Sequence, residues 1–208
     1  MQLPVYNLVT SIESRLRRSQ IKSLYNDDMQ AEFASIKEHL PDACSSVLDI
    51  GCGVAGIDVL IDRHYAGQDP DIYLLDKTQV ERNVFYLFNE RAAFYNSLEV
   101  AKSVLILNGI PDGRIRLREA DAANQIQVPG GIDLIISLLS WGFHYPVETY
   151  AKRVAEAVSD SGVVILDVRK GTTGLQTLKH VFESVDIILD TGKYVRVATT
   201  RPFSDQFK

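Results

Sequence analysis

Gly51, Gly53 and Gly56 follow the apolar run Val47-Leu48-Asp49-Ile50 and precede a stretch with helical patterning. A glycine-rich turn between a buried strand and a helix lets the backbone approach a ligand with no Cβ in the way, at the strand end where α/β sheets bind ligands. The Gly-x-Gly-x-x-Gly spacing suits a dinucleotide. Asp49, however, stands two residues before Gly51, where it would repel a pyrophosphate and attract a cationic group. A second carboxylate, Asp76, ends Tyr73-Leu74-Leu75-Asp76 about 25 positions after the loop, where it can accept both hydroxyls of a ribose. Asp121 lies in Arg118-Glu119-Ala120-Asp121-Ala122, and by itself reads equally as a ligand contact or an ordinary loop or cap aspartate. His144 sits among Trp141, Phe143 and Tyr145. Imidazole is the side chain best poised to take a proton from a hydroxyl at neutral pH, and an aromatic wall excludes water and stacks on a ring face. Against those readings, His144 caps or packs the next helix and the aromatics are core.

The elements that must hold these residues follow from periodicity. Mixed three- and four-residue spacings (Leu8, Ile12, Leu16, then Phe33, Ile36, Leu40) predict amphipathic helices over about residues 5 to 40, broken at Asn26-Asp27-Asp28. A strand at 47–50 follows, then a helix near 56–66, a strand at 72–76 and a helix near 97–108 closed by Gly109 with Pro111 beyond. Strands at 115–119 and 133–138, a helix near 147–158 and a strand at 163–168 complete the alternation, which implies parallel pairing with helices on both faces. Residues 185–190 and 194–199 flank Thr191-Gly192-Lys193, a hairpin that adds an antiparallel strand.

Asp49-Ile50-Gly51-Cys52-Gly53 resembles the first motif of the Rossmann-fold (class I) S-adenosylmethionine-dependent methyltransferases, and the resemblance runs over about residues 40 to 200. Many members have glycine where this chain has Ala55, with Gly56 next to it. The resemblance implies an α/β fold with a mostly parallel seven-stranded sheet and an antiparallel C-terminal hairpin. A single domain is expected over 1–208, with an N-terminal helical cap (1–41), a cofactor-binding core (42–208) and a lid-like insertion at 77–96 carrying Phe85, Tyr86, Phe88, Phe94 and Tyr95. It further implies S-adenosylmethionine as cofactor, with Asp49, Gly51, Gly53, Asp76, Lys77, Asp121, Ala122 and Ser137 as contacts. In the family the residues past strand 133–138 line the acceptor pocket. Members that methylate amide or base nitrogens often carry Asn or Asp, then Pro-Pro-aromatic there; this chain has Ser137-Leu138-Leu139-Ser140-Trp141, which weighs against them.

The resemblance therefore implies a methyltransferase acting on a hydroxyl of a small molecule, with His144 as general base and Tyr25, Trp141 and Tyr145 as substrate contacts. The Ser-Trp-Gly-Phe-His-Tyr-Pro stretch is similar to bacterial methyltransferases acting on sugars or related polyols. Alternatives are a small-molecule N-methyltransferase, an interaction protein that kept only the fold, and, disfavoured by Asp49, a nicotinamide oxidoreductase. No Asp-Asn pair follows strand 133–138, so no catalytic metal is expected.

Bulk properties bound the rest. The 208 residues, 46% hydrophobic, suit one globular domain. A net charge of −5 argues against nucleic acid, and the local cluster Arg15, Arg17 and Arg18 reads as a solvated helix face. No apolar stretch is long enough to cross a bilayer and no signal-type segment opens the chain, so a cytoplasmic protein off the membrane is expected, with a homodimer as an option. Cys44 and Cys52 read as reduced thiols rather than a disulfide framework.

Overall fold

A computed structural model describes residues 18–78 and 97–203. The expected first N-terminal helix, Arg15 and Arg17 of the basic cluster, and nearly all of the 77–96 insertion lie outside the described residues. The chain forms α1 (Arg18–Ile36), β1 (Ser46–Ile50), α2 (Gly56–His64), β2 (Asp71–Asp76), α3 (Leu98–Leu107), β3 (Ile115–Glu119) and β4 (Ile132–Ser137). It continues with α4 (Ala151–Ala157), β5 (Val158–Arg169), α5 (Gly174–Val181), β6 (Phe182–Asp190) and β7 (Tyr194–Pro202).

The seven strands make one sheet in the order β3-β2-β1-β4-β5-β7-β6. Strands β1 to β5 pair in parallel, and β7 runs antiparallel between β5 and β6. The order reverses between β1 and β4, and the crevice beyond that point is where an open α/β sheet binds ligands. Alternation along the strands divides the core. Leu48, Ile50, Val164, Leu166, Val195 and Val197 face α4 and α5. Val47, Ile165 and Ala198 face the other way, beneath Ile36 of α1 and Ile57 and Ile61 of α2. A third cluster seats α3 through Leu98, Ala101 and Leu105 against Ile72 and Leu74.

Several elements differ from the sequence reading. Helix α1 continues unbroken through Asn26-Asp27-Asp28. Asn and Asp each cost only about 0.7 kcal/mol in a helix, less than the packing of Met29, Phe33 and Ile36 beside them returns. The helix expected over 147–158 is a single turn, Val147–Thr149, and then the seven-residue α4. Val158 instead opens β5 by pairing with Ile132, a place on the sheet that suits a β-branched side chain. Helix α5 went unpredicted. The hairpin closes as expected: Thr191 Oγ1 accepts hydrogen bonds from the N–H groups of Lys193 and Tyr194. Both cysteines are free and buried, and burial pushes the Cys44 thiol up to about 12. No helix of the described residues is long and apolar enough to cross a membrane.

Candidate functional site

Strand β1 ends at Ile50, and the next residues turn through Gly51 (φ +79°) and Gly53 (φ +55°), left-handed conformations that glycine adopts without strain. Ala55 takes the same region (φ 57°) as the N-cap of α2, so alanine here holds a turn conformation that glycine adopts more readily. The third glycine serves packing: the Tyr25 hydroxyl lies 2.0 Å from where a Cβ on Gly56 would stand.

The loop is tied to β2 by Asp76. Gly53 N–H donates to Asp76 Oδ2 at 2.9 Å and Lys77 N–H donates to Oδ1 at 2.6 Å. These two backbone bonds fix the direction of the carboxylate, a group whose oxygens are acceptors when ionised. Gly51 N–H donates to Leu75 O at 2.7 Å, completing the junction.

Beyond it opens a cavity of about 260 Å³ lined by Gly51, Asp76, Lys77, Asp121, Ala122, Asn124, Ser140, Trp141, Tyr145 and Tyr150 among others. That is close to the roughly 300 Å³ at which small-molecule pockets begin. Its lining suits a nucleoside: the anchored carboxylate of Asp76, the Asp121-Ala122 turn and the side chains of Tyr145 and Tyr150. Asp121 also serves its own turn, Oδ1 accepting from Gln125 N–H at 3.1 Å. Ser140 lines the cavity against the glycine loop, its hydroxyl 1.8 Å from the position of a Cβ on Gly51.

The fold thus brings Gly51, Asp76, Lys77, Asp121, Ala122, Trp141 and Tyr145, all expected from the sequence, together around one cavity. Trp141, however, is fully buried: its indole N–H donates to Val147 O at 2.8 Å and its ring meets Tyr150 edge-on. Its side chain belongs to the core. Tyr145 is exposed at the mouth.

The other expected residues fall outside the lining. Gly53 acts through its N–H on Asp76. Ser137 is buried, donating to Ile50 O at 2.7 Å and accepting from Trp141 N–H at 2.8 Å, so it joins the ends of β1 and β4. Asp49 is buried beneath the loop on the α2 side. Burial first, then the facing carboxyl of Asp58, holds Asp49 well above the usual carboxylate range. Tyr25 borders a second cavity, between α1, α2 and α3, and no residue of α1 lines the first. The expectation that the N-terminal region covers the first cavity is not met by α1, because Met29, Phe33 and Ile36 bury it in the core cluster that contains Ile57 and Ile61.

His144 is exposed on the loop after β4 and does not line the cavity. Its ring stacks edge-on against Phe143, 4.9 Å between centroids. Partial burial, and then the positive charge of Arg169, lowers its proton affinity, so a neutral imidazole capable of accepting a proton is favoured. Among the described residues no group of three or more His, Cys, Asp or Glu side chains converges as metal ligands.

Sequence reasoning missed Ser140, Asn124 and Tyr150 in the cavity, and the buried pair Asp167 and Arg196. For the pair a signal existed: each is a lone charge inside an apolar strand, in Val163-Val164-Ile165-Leu166-Asp167-Val168 and Tyr194-Val195-Arg196-Val197-Ala198. Two such interruptions in adjacent strands are best explained by each other. Asn124 and Tyr150 carry no such local mark.

No protein-family model and no curated protein matches the sequence. Solved structures do. The chain is similar to an S-adenosylmethionine-dependent methyltransferase named SibL (19% identity, TM-score 0.52, 77% of this chain) and spans about half, 51%, of that protein. A TehB-like S-adenosylmethionine-dependent methyltransferase from Corynebacterium glutamicum matches over 96% of this chain and 100% of its own (16% identity, TM-score 0.52). The StiE O-MT segment matches over 95% and 82% (14% identity, TM-score 0.61). With the strand order and the hairpin-terminated sheet, these likenesses establish that the chain has the Rossmann-like fold of the class I S-adenosylmethionine-dependent methyltransferases.

Proposed function

We propose that this chain is an S-adenosylmethionine-dependent methyltransferase that methylates a hydroxyl of a small molecule, of the sugar or polyol class. The observation that carries the reading is Asp76, oriented by two backbone N–H groups on the wall of a nucleoside-sized cavity at the sheet's switch point. In this proposal Asp76 accepts the ribose hydroxyls, Lys77 flanks them, and Asp121 with the Ala122 N–H reads the adenine edge. Gly51 and Gly53 admit the amino-acid portion, with Asp49 and Ser137 shaping the floor beneath it.

When bound, S-adenosylmethionine supplies an electrophilic methyl group. The chain's own part is to align the acceptor and remove a proton, and alignment is the larger contribution to rate. Tyr145 at the mouth would hold the acceptor, and Trp141, its ring in the core, would shape the same pocket from behind. His144, kept neutral beside Arg169, would receive the hydroxyl proton. Tyr25, behind Gly56 on the α2 side, would influence the site through the glycine loop. A second reading, N-methylation of a small amine, needs no base once the amine is neutral. The exposure of His144 and its absence from the lining keep that reading open, and His144→Ala separates the two, since only hydroxyl transfer loses most of its turnover.

The test is calorimetric titration with S-adenosylhomocysteine and, separately, NADH, on the wild-type chain and Asp76→Ala. Micromolar binding of the nucleoside, lost in the variant, with no NADH response, is expected. Binding of neither compound would overturn the enzyme reading and leave the fold without this function.

A further inference from the structure

Arg196 is fully buried in the middle of β7, directly across from Asp167 on β5. Its Nε donates to Asp167 Oδ1 at 2.7 Å and Nη2 to Oδ2 at 2.8 Å, a bidentate fork. The remaining nitrogen, Nη1, turns towards α1, where it meets Ser35 Oγ at 2.6 Å and Glu32 Oε2 at 2.5 Å. Burial opposes the charge of Arg196, and the bonds to Asp167 and Glu32 more than restore it.

Strand pairing alone does not call for this arrangement. A buried ion pair is often replaceable by apolar side chains of similar volume without loss of stability. What apolar side chains could not do is accept a hydrogen bond, and Asp167 Oδ2 accepts one from Leu139 N–H at 2.9 Å. Leu139 is the second residue past β4, part exposed, with φ at +54°. A leucine held there is strained by about 1–2 kcal/mol, and the N–H bond to Asp167 is what holds it. Of the residues that follow, Ser140 and Trp141 line the cavity. Ser140 packs on Gly51, Trp141 N–H reaches Ser137, and Gly142 lies so close to Asp167 O that a Cβ would stand 2.6 Å from it.

We propose that Glu32, Ser35 and Arg196 are positioning residues for the acceptor end of the cleft: they orient Asp167, which fixes Leu139 and with it the Ser140-Trp141-Gly142 turn. Helix α1 thereby sets the shape of the cavity from the opposite side of the sheet, without touching it. That this turn serves an acceptor rests on the methyltransferase reading; the positioning itself does not.

Trp141 is the only tryptophan of the chain and lies inside the turn, so its fluorescence reports the turn directly. The experiment compares the full wild-type chain with Glu32→Ala/Ser35→Ala, and with Glu38→Ala as a control on an exposed carboxylate. Arg196 itself is left intact because its loss would strand Asp167 in the core. Acrylamide quenching of Trp141 at 25 °C is read first without ligand, then the affinity for S-adenosylhomocysteine, with Tm alongside. The double variant is expected to raise the quenching constant and weaken binding, each by about twofold to tenfold, while Glu38→Ala changes neither. A fall in Tm with wild-type quenching would overturn the proposal and leave the network merely structural. If the wild-type chain binds no S-adenosylhomocysteine, the methyltransferase reading fails, and the quenching comparison still decides the positioning role.

Discussion

The carboxyl groups of Asp49 and Asp58 face each other in the buried layer between β1 and α2, close enough to share a proton. Both are buried, and the oxygens of Asp58 have no other side-chain donor. Burial is the first cause of the upward shift in each. The hydrogen bond divides the pair, raising Asp49 further and drawing Asp58 back to about 6.

That relationship makes stability depend on pH with a definite sign. A carboxyl whose folded value lies above its unfolded one contributes most at low pH and loses that contribution as pH rises through the folded value. For Asp58 the window runs from 3.8 to about 6, and the full effect is about 3 kcal/mol. Urea unfolding of wild type and Asp58→Asn across this window should show the variant gaining on wild type as pH rises. A stability difference that stays flat would mean that the two carboxyls hold no common proton.

Gly51 and Gly53 should respond differently to the same substitution. Both have positive φ, but a Cβ at Gly51 meets Ser140 whereas one at Gly53 meets nothing within 4 Å. Gly53→Ala should cost about 1–2 kcal/mol, the backbone strain alone. Gly51→Ala should cost clearly more and abolish nucleoside binding, since the turn after β4 must retreat. Denaturant midpoints and calorimetry read both, and equal costs would show that Ser140 does not pack against the loop.

Trp141→Phe tests the reassignment of that ring from pocket to core. Removing the indole N–H leaves Val147 O with only the longer bond from Tyr150 N–H and opens space beside the Tyr150 ring, for a loss of about 2–3 kcal/mol. Thermal unfolding followed by circular dichroism measures it. A change under 1 kcal/mol, roughly the size of a surface substitution, would place the ring outside the core.

His144 should titrate below 6.5 in the wild-type chain, and its value should rise in Arg169→Gln, because the guanidinium charge is one of the two causes of the shift. Proton NMR of the imidazole resonances, with His144→Gln to assign the signal, decides this. Titration above 6.5 would leave the ring substantially protonated near neutrality and unfit as a base.

Most of the fold was legible in the residues themselves. The glycine turn, the carboxylate ending β2 and the hairpin at Thr191-Gly192-Lys193 are local signals, written in the backbone freedom of glycine and in strand-length apolar runs, and they survive folding unchanged. The positions around the cavity that the chain marks by motif, Gly51, Asp76, Asp121 and Ala122, came through for the same reason. Local pattern could not say which side of the sheet a side chain would face or what would stand opposite it. Asp49 lies within the motif, yet strand alternation turns it towards α2, where Asp58 meets it. Trp141 sits in a pocket-like sequence, yet the carbonyl of Val147 draws its indole into the core. Arg196 and Asp167 are 29 residues apart, and only the antiparallel pairing of β7 with β5 makes them partners. Residue types and short spacings set what chemistry was on offer; long-range strand order and burial decided which groups meet, because a buried charge or hydrogen-bonding group is stable only where the tertiary structure supplies its counterpart.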